Sequence, residues 1–345
     1  MVNRTILITF TNLKLVMDKL IAAFPNNMIE ALSIASSAHI SKNGREIRNV
    51  VITGMGGSGI GGKIVALWLQ DELSIPVVLI NDYTLPEFVN HDSLVIGSSY
   101  SGNTEETLMS LRKAQNKGAR IIGICSGGDL EVFCRTNSYD YILVPGGNPP
   151  RTQLAYSIVQ LVNIFVQLGL CSSRRLEEIK SANTLLVSAS ESIKQEAVEL
   201  ANFLEGKVGV FYSSARYEGV AIRARQQFEE NAKFLCWHHV LPEMNHNELV
   251  GWGGGDDRFA VVFMQTGDLI PRNQKRYEIT MDRVKTFTPC VKELVAKGSS
   301  VIERSFYLIH LVDWASLYLA QKKGVDAFDI DIIYYLKDEL AKFEE

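Results

Sequence analysis

Ser98-Ser99-Tyr100-Ser101-Gly102-Asn103-Thr104-Glu105-Glu106-Thr107 is the stretch from which the rest of this chain can be read. It follows an apolar run, Leu94-Val95-Ile96, and leads into a helical pattern, Thr107-Leu108-Met109 through Ala114. A strand therefore runs into a hydroxyl-rich turn, and the turn into a helix N-terminus. Ser99, Ser101 and Thr104 bring hydroxyls to a place where unpaired backbone N–H groups also point outward. Those are the ingredients for holding a phosphate or another small anion. Ser and Thr also serve as plain helix caps. A cap needs one such residue, and this turn supplies several around a glycine.

Working outward, the same texture recurs. Val50-Val51-Ile52-Thr53 is a β-branched run followed at once by Gly54-Met55-Gly56-Gly57-Ser58-Gly59-Ile60-Gly61-Gly62, and Ile64 to Leu69 then reads as a helix. Further apolar runs lie at Val77-Val78-Leu79-Ile80, Ile121-Ile122-Gly123-Ile124 and Tyr141-Ile142-Leu143-Val144, with helical patterns between most of them. Short apolar strands alternating with helices predict a parallel sheet covered on both faces. A helical lead-in comes first, with a start signal at Phe24-Pro25-Asn26-Asn27 and an apolar face of Met28, Leu32, Ile34, Ala35 and Ala38.

Gln153 to Leu168 and Arg174 to Leu204 are long helical stretches that join two halves. The strand–turn–helix pattern then returns as Val208-Gly209-Val210-Phe211-Tyr212, Ser213-Ser214-Ala215 and a helix from Tyr217 to Ala232. Leu235-Cys236-Trp237, Phe259-Ala260-Val261-Val262-Phe263 and Val301-Ile302-Glu303 read as further strands, and helices from about Phe306 to Lys323 and Ile330 to Phe343 close the chain. The expected fold is α/β, with two doubly wound halves built on parallel sheets. Its parts are a lead-in over 1–41, a first domain over 42–170, connecting helices over 171–204, and a second domain with C-terminal helices over 205–345. In such sheets ligands bind at the carboxyl ends of the strands, where the strand order reverses.

Composition narrows the function. The chain has 345 residues, 46% hydrophobic and 21% charged, enough for a sizeable core. A net charge of −4 leaves no basic stripe for general nucleic-acid binding, while one local site for a phosphorylated metabolite needs only a few donors. Cys125, Cys134, Cys171, Cys236 and Cys290 show no CxxC spacing and read as free thiols of a reducing compartment. The N-terminal Ile6-Leu7-Ile8 is followed by Lys14 and Asp18 without a cleavage site, and no apolar run reaches membrane-spanning length. The expectation is a cytoplasmic protein with neither membrane nor nucleic-acid partners.

Several residues are placed for chemistry. Gly54-Met55-Gly56-Gly57-Ser58-Gly59 fits the dinucleotide fingerprint G-x-G-x-x-G, and Asp82 sits where a ribose-binding acid belongs. That reading leaves the Ser99–Thr104 hydroxyls without a role. A single phosphate gripped by two adjacent strand ends uses both turns, with Ser58 joining Ser99, Ser101 and Thr104. Pro149-Pro150 stiffens the loop from which Arg151 leaves, so Arg151 is either a surface arginine or an oxyanion-stabilising cation. Glu230, near a helix end before an apolar strand, is either solvated or partly buried and poised as a base. His238, His239, Glu243, His246 and Glu248 match no usual zinc spacing, and adjacent histidines in a strand face opposite ways.

Gly56-Gly57-Ser58, the Ser-Tyr-Ser-Gly-Asn-Thr segment, Pro149-Pro150-Arg151, Glu230-Asn231-Ala232-Lys233 and Pro242-Glu243-Met244-Asn245-His246-Asn247-Glu248 together resemble the bifunctional phosphoglucose/phosphomannose isomerases, sugar-isomerase (SIS) proteins with two flavodoxin-like halves. The resemblance covers the chain from about Val50 onward. The serine segment marks the wider superfamily, and the NHNE segment after Glu230 narrows it to this branch. The resemblance implies that Gly57, Ser58, Ser99, Ser101 and Thr104 bind the sugar phosphate, and that Glu230 moves a proton between C2 and C1. It implies that Arg151 stabilises the enediolate, that His246 of the second copy in a homodimer assists ring opening, and that Lys337 is an active-site lysine. No cofactor and no metal are implied. A sugar-phosphate-binding regulator on the same fold would keep the serines without needing Glu230, Arg151 and His246 together. The segment Gly251-Trp252-Gly253-Gly254-Gly255-Asp256-Asp257 has no place in the family pattern.

Overall fold

The computed structural model describes residues 17–42 and 44–343; Ile6-Leu7-Ile8 and the first part of the lead-in lie outside them. The lead-in helix α1 (Phe24–Ser37) starts at Pro25, whose missing N–H costs nothing in a first turn. The first half then alternates β1 (Asn49–Thr53), α2 (Gly56–Leu69), β2 (Val77–Ile80), β3 (Ser93–Ser98), α3 (Glu105–Asn116), β4 (Arg120–Cys125), α4 (Gly128–Thr136) and β5 (Asp140–Leu143). Its five strands run in the order β2-β1-β3-β4-β5, all neighbours parallel. This is the flavodoxin-like order, which reverses between β1 and β3.

Strand periodicity decides what lies on each face. Val50 and Ile52 of β1 join Leu94 and Ile96 of β3 in the large core beneath α2 and α5 (Leu154–Gln167). Val51 and Val95 point the other way, into a smaller cluster with Leu111 of α3 and Leu130 and Cys134 of α4. Every residue of β3 is buried, as a central strand covered on both sides must be.

The helical stretch expected over Arg174 to Leu204 is two helices, α6 (Arg174–Ser188) and α7 (Ser190–Leu204), with Ala189 between them. The second half contains β6 (Val208–Ser214), α8 (Glu218–Ala232), β7 (Cys236–Leu241), β8 (Phe259–Gln265), α9 (Pro271–Val284), β9 (Val291–Val295), α10 (Val301–Lys323) and α11 (Asp331–Leu340). Its parallel sheet has the order β7-β6-β8-β9, which repeats the reversal of the first sheet.

Val301-Ile302-Glu303 is not a strand. It is the first turn of α10, because the Ser300 hydroxyl accepts from the Glu303 N–H and Glu303 reaches back to the Ser300 N–H. That capping box outweighs two β-branched residues. α10 is apolar nearly all round and packs Phe306, Leu308, Leu311 and Leu317 into the core shared by both sheets. None of the described helices is long and apolar enough to cross a membrane.

Candidate active site

The serine turns meet at the reversal point of the first sheet. The end of β1 feeds α2 through Gly54-Met55, and the neighbouring end of β3 feeds α3 through Ser99–Thr104. The Ser58 hydroxyl accepts from the Tyr100 N–H at 3.1 Å, which ties the two turns together. Ser99 Oγ lies 2.8 Å from Thr104 Oγ1, and Ser101 Oγ accepts from the Asn103 N–H at 3.2 Å. Thr104 occupies the N-cap of α3 yet makes no side-chain capping bond. Ser99 and Thr104 are therefore engaged with each other, while Ser58 and Ser101 accept from backbone N–H groups of the same turn, an arrangement that reaches beyond one capping bond.

Gly102 is what allows the turn. Its φ is +73°, and a Cβ there would stand 1.8 Å from the Gly127 carbonyl oxygen. Asn103 extends the brace, its Oδ1 accepting from the Asp129 N–H at 2.9 Å. Asp82, at the end of β2, accepts from the adjacent Tyr83 N–H at 2.6 Å.

Gly57 carries the site from the hydroxyls to the charged groups. A Cβ at Gly57 would lie 3.3 Å from the Pro150 carbonyl oxygen and 3.7 Å from Arg151 Cα. Pro150 and Arg151 form a single 3₁₀ turn ahead of α5, and Arg151 is only 4% exposed, so it is no surface arginine. Its guanidinium crosses to the second half. Nε donates to Asn231 Oδ1 at 2.9 Å, Nη1 to Glu230 Oε2 at 3.3 Å and Nη2 to the Ala327 carbonyl at 2.6 Å. Of the five N–H donors of an arginine, two remain for a ligand.

Glu230 sits in the last turn of α8 and is about one-third exposed. Burial pushes the carboxyl of its neighbour Glu229 above the ordinary range, with Arg225 opposing. Lys233 caps α8 in a left-handed conformation, φ +48° and ψ +48°, uncommon for a residue with a side chain. Its Nζ donates to the carbonyls of Glu230 at 2.8 Å and Asp326 at 2.5 Å. Burial pulls its ammonium below the usual lysine range. Two cations, Arg151 and Lys233, thus clamp the 326–327 loop that leads to α11.

The structure ties Ser58 to the turn that carries Ser99, Ser101 and Thr104, sets Gly57 beside Pro150 and Arg151, and pairs Arg151 with Glu230. It does not bring in His246 or Lys337. His246 is exposed on a 3₁₀ turn, Glu243–His246, and makes no side-chain hydrogen bond among the described residues. Lys337 lies on α11, none of whose residues is buried, although Tyr334 one turn earlier interacts electrostatically with Arg151. His238 and His239 fall inside β7, and no group of three or more His, Cys, Asp or Glu gathers as metal ligands among the described residues. Asn231, Ala327 and Lys233 escaped sequence reasoning as individual site residues. Asn231 and Lys233 flank the singled-out Glu230, which was the available signal.

Two parallel sheets in flavodoxin-like order with hydroxyl-rich turns at the reversal point define a SIS-type protein. Family models agree: residues 45–137 match the SIS domain, and residues 193–340 match the bacterial phospho-glucose isomerase C-terminal SIS domain. A bifunctional phosphoglucose/phosphomannose isomerase of Caldicellulosiruptor bescii is 36% identical over 93% of this chain and 98% of the relative. One of Aquifex aeolicus is 35% identical over 88% and 93% respectively. The tagatose-6-phosphate ketose/aldose isomerase structure from Escherichia coli shares the fold with a TM-score of 0.72 at 14% identity, covering 90% of this chain and 94% of that one. The chain belongs to the bifunctional phosphoglucose/phosphomannose isomerase family.

Proposed function

We propose that this protein interconverts glucose 6-phosphate and mannose 6-phosphate with fructose 6-phosphate by proton transfer through an enediolate. The observation that carries the reading is Arg151, buried, 3.3 Å from the Glu230 carboxylate and backed against Gly57 of the phosphate turn. A phosphate held by Ser58, Ser99, Ser101 and Thr104 anchors C6, and the reacting end of the sugar extends toward Glu230. The carboxylate takes the proton from C2 of the open-chain aldose. The electrons of that C–H bond form the C1–C2 double bond, and the carbonyl oxygen becomes an oxyanion that the free N–H groups of Arg151 hold. Return of that proton to C1, with transfer of the O2 proton to the O1 oxyanion, gives the ketose with its C1 hydroxyl and C2 carbonyl. No electrons leave the substrate, so the reaction calls for no redox cofactor.

Ring opening is assigned to His246 of a second copy in a homodimer. Support comes from its exposure and from its lying outside the Arg151–Glu230 cluster of its own chain. Lys337 is assigned to the same site because α11 follows the 326–327 loop that Arg151 and Lys233 hold. A cytoplasmic location accords with five cysteines that are all free.

Incubating the pure protein with fructose 6-phosphate and no added cofactor tests the activity. Appearance of glucose 6-phosphate and mannose 6-phosphate supports it. Tight binding without turnover would instead mark a sugar-phosphate-binding regulator.

A further inference from the structure

Arg151 is held at its backbone as well as at its guanidinium, by residues outside the catalytic set. Arg223, two turns before Glu230 on α8, is 1% exposed. Its Nη2 donates to the Arg151 carbonyl at 2.5 Å. The same guanidinium grips Asp313 of α10 in a two-point pair, Nε to Oδ1 at 3.2 Å and Nη2 to Oδ2 at 3.1 Å. One turn further along α10, the Ser316 hydroxyl donates to the Asp313 carbonyl at 2.8 Å and accepts from Asn231 Nδ2 at 2.9 Å. Asn231 in turn holds Arg151 Nε. One face of α10 therefore supports Arg151 by two routes, through Arg223 to its carbonyl and through Asn231 to its guanidinium.

The choice of residue is informative. A buried carbonyl needs only a neutral donor, and a second buried guanidinium beside Arg151 repels it. Asp313 offsets that charge, so the buried Arg223–Asp313 pair stands beside the Arg151–Glu230 pair with the four charges balanced. A guanidinium locked at two points on a rigid helix fixes a direction as well as satisfying an acceptor. A group that must meet developing negative charge without moving needs such fixing.

We infer that Arg223 and Asp313 are positioning residues that aim Arg151 at the enediolate, a role that deepens the function proposed above and rests on it. The test compares wild type with the double variant Arg223→Met/Asp313→Leu, which removes both charges and leaves neither one buried alone, a replacement cores often tolerate. Two ligands separate positioning from general damage. A five-carbon hydroxamate 5-phosphate carries adjacent oxygens that imitate the enediolate. A hexitol 6-phosphate keeps the phosphate and hydroxyls but has no enediol.

The double variant is expected to keep its thermal midpoint within a few degrees and its affinity for the hexitol phosphate. Its kcat and its affinity for the hydroxamate fall together, on the order of 10²-fold. Arg223→Lys, which keeps the charge and one donor, recovers part of both. Unchanged kcat and hydroxamate affinity in a folded double variant would overturn the inference. So would an equal loss for both ligands, which marks a purely structural role. If the double variant does not fold, Arg223→Lys alone decides by the same two ligands. Wild type that neither turns over fructose 6-phosphate nor prefers the hydroxamate fails the functional reading instead.

Discussion

A single carboxylate carries the proposed chemistry, and its surroundings state what its loss should do. Glu230→Gln keeps the side-chain shape and an acceptor for Arg151 but removes the base. Turnover of fructose 6-phosphate should fall by about 10²–10⁴-fold, with KM little changed because the phosphate grip lies at the other sheet. In heavy water the wild-type product should carry deuterium at C1 or C2, since a proton held on one carboxylate exchanges in part before it returns; near-native turnover in Glu230→Gln would move the base elsewhere. At the proposed phosphate grip, Ser101→Ala should raise KM about tenfold to a hundredfold, the weight of one charge-assisted hydrogen bond, and titration with inorganic phosphate reads the same loss. These residues were legible because each sits in a local pattern with chemical meaning: hydroxyls around Gly102, Pro-Pro before Arg151, a glutamate at a helix end. Arg223 and Asp313 were not. Each is an ordinary charged residue in a helical pattern, and nothing local distinguishes a buried Arg223 from the more exposed Arg225 two positions on. Their partners are 90 residues apart in sequence, and only the packing of α8 on α10 brings them together.

Among the elements, the segment after β7 finds its role in the structure. Glu248 accepts from the Tyr212 hydroxyl and from Trp237 Nε1, while Trp252 Nε1 donates to Tyr212 at 2.8 Å. Burial and Glu248 push the Tyr212 hydroxyl well above the ordinary tyrosine range, so it stays a donor. The glycine-rich stretch around Trp252 thus folds the indole onto β6, and Glu248 is committed to structural hydrogen bonds, which removes it as a substitute base. Met244 is buried and Asn245 Nδ2 donates to Thr280 at 2.7 Å, so the turn between them and Glu248 is pinned on both sides while His246 faces outward. Trp252→Phe keeps most of the packing and loses one buried N–H donor, and should lower stability by about 1–2 kcal/mol in a denaturant titration. If His246 serves the site of a second copy, mixing inactive Glu230→Gln with inactive His246→Ala protein should restore part of the activity once subunits exchange, because one site of the mixed dimer is intact. No recovery after verified exchange would place His246 outside that site. The first-half strands and the helices that follow the glycine-rich and serine turns were readable from apolar runs, whereas α9 and β9 passed unseen: α9 is polar over most of its surface, and only Leu294 of β9 is buried.

At the scale of the whole molecule, α10 packs against α6, α7 and α8, and it carries a buried titratable group apart from the chemistry. His310 is 3% exposed, stacks on Phe24 of α1 with ring centroids 5.6 Å apart, and accepts from Trp314 Nε1 at 3.2 Å through Nε2. An accepting Nε2 means a neutral ring, and Nδ1 finds no partner among the described residues. Burial, with the charge of Lys194 adding to it, brings the imidazole down from its ordinary 6.5 to about 3. The sign follows from which state takes the proton. Above pH 6.5 neither the folded nor the unfolded chain protonates His310, and its contribution is fully present. Between 6.5 and about 3 the unfolded chain binds a proton that the folded chain refuses, so stability falls as the pH falls, by about 1.4 kcal/mol per unit. Acidification from pH 6.5 to 5 should therefore cost about 2 kcal/mol through this residue alone. His310→Gln keeps a hydrogen-bond acceptor for Trp314 and cannot titrate, so it should be less stable than wild type at pH 7.5, where the aromatic stack is lost. Its stability should nevertheless depend less steeply on pH, and the gap between the two proteins should narrow or reverse by pH 5. Urea unfolding at half-unit steps from pH 7.5 to 5 measures both curves, and parallel curves would mean that His310 takes up its proton without unfolding.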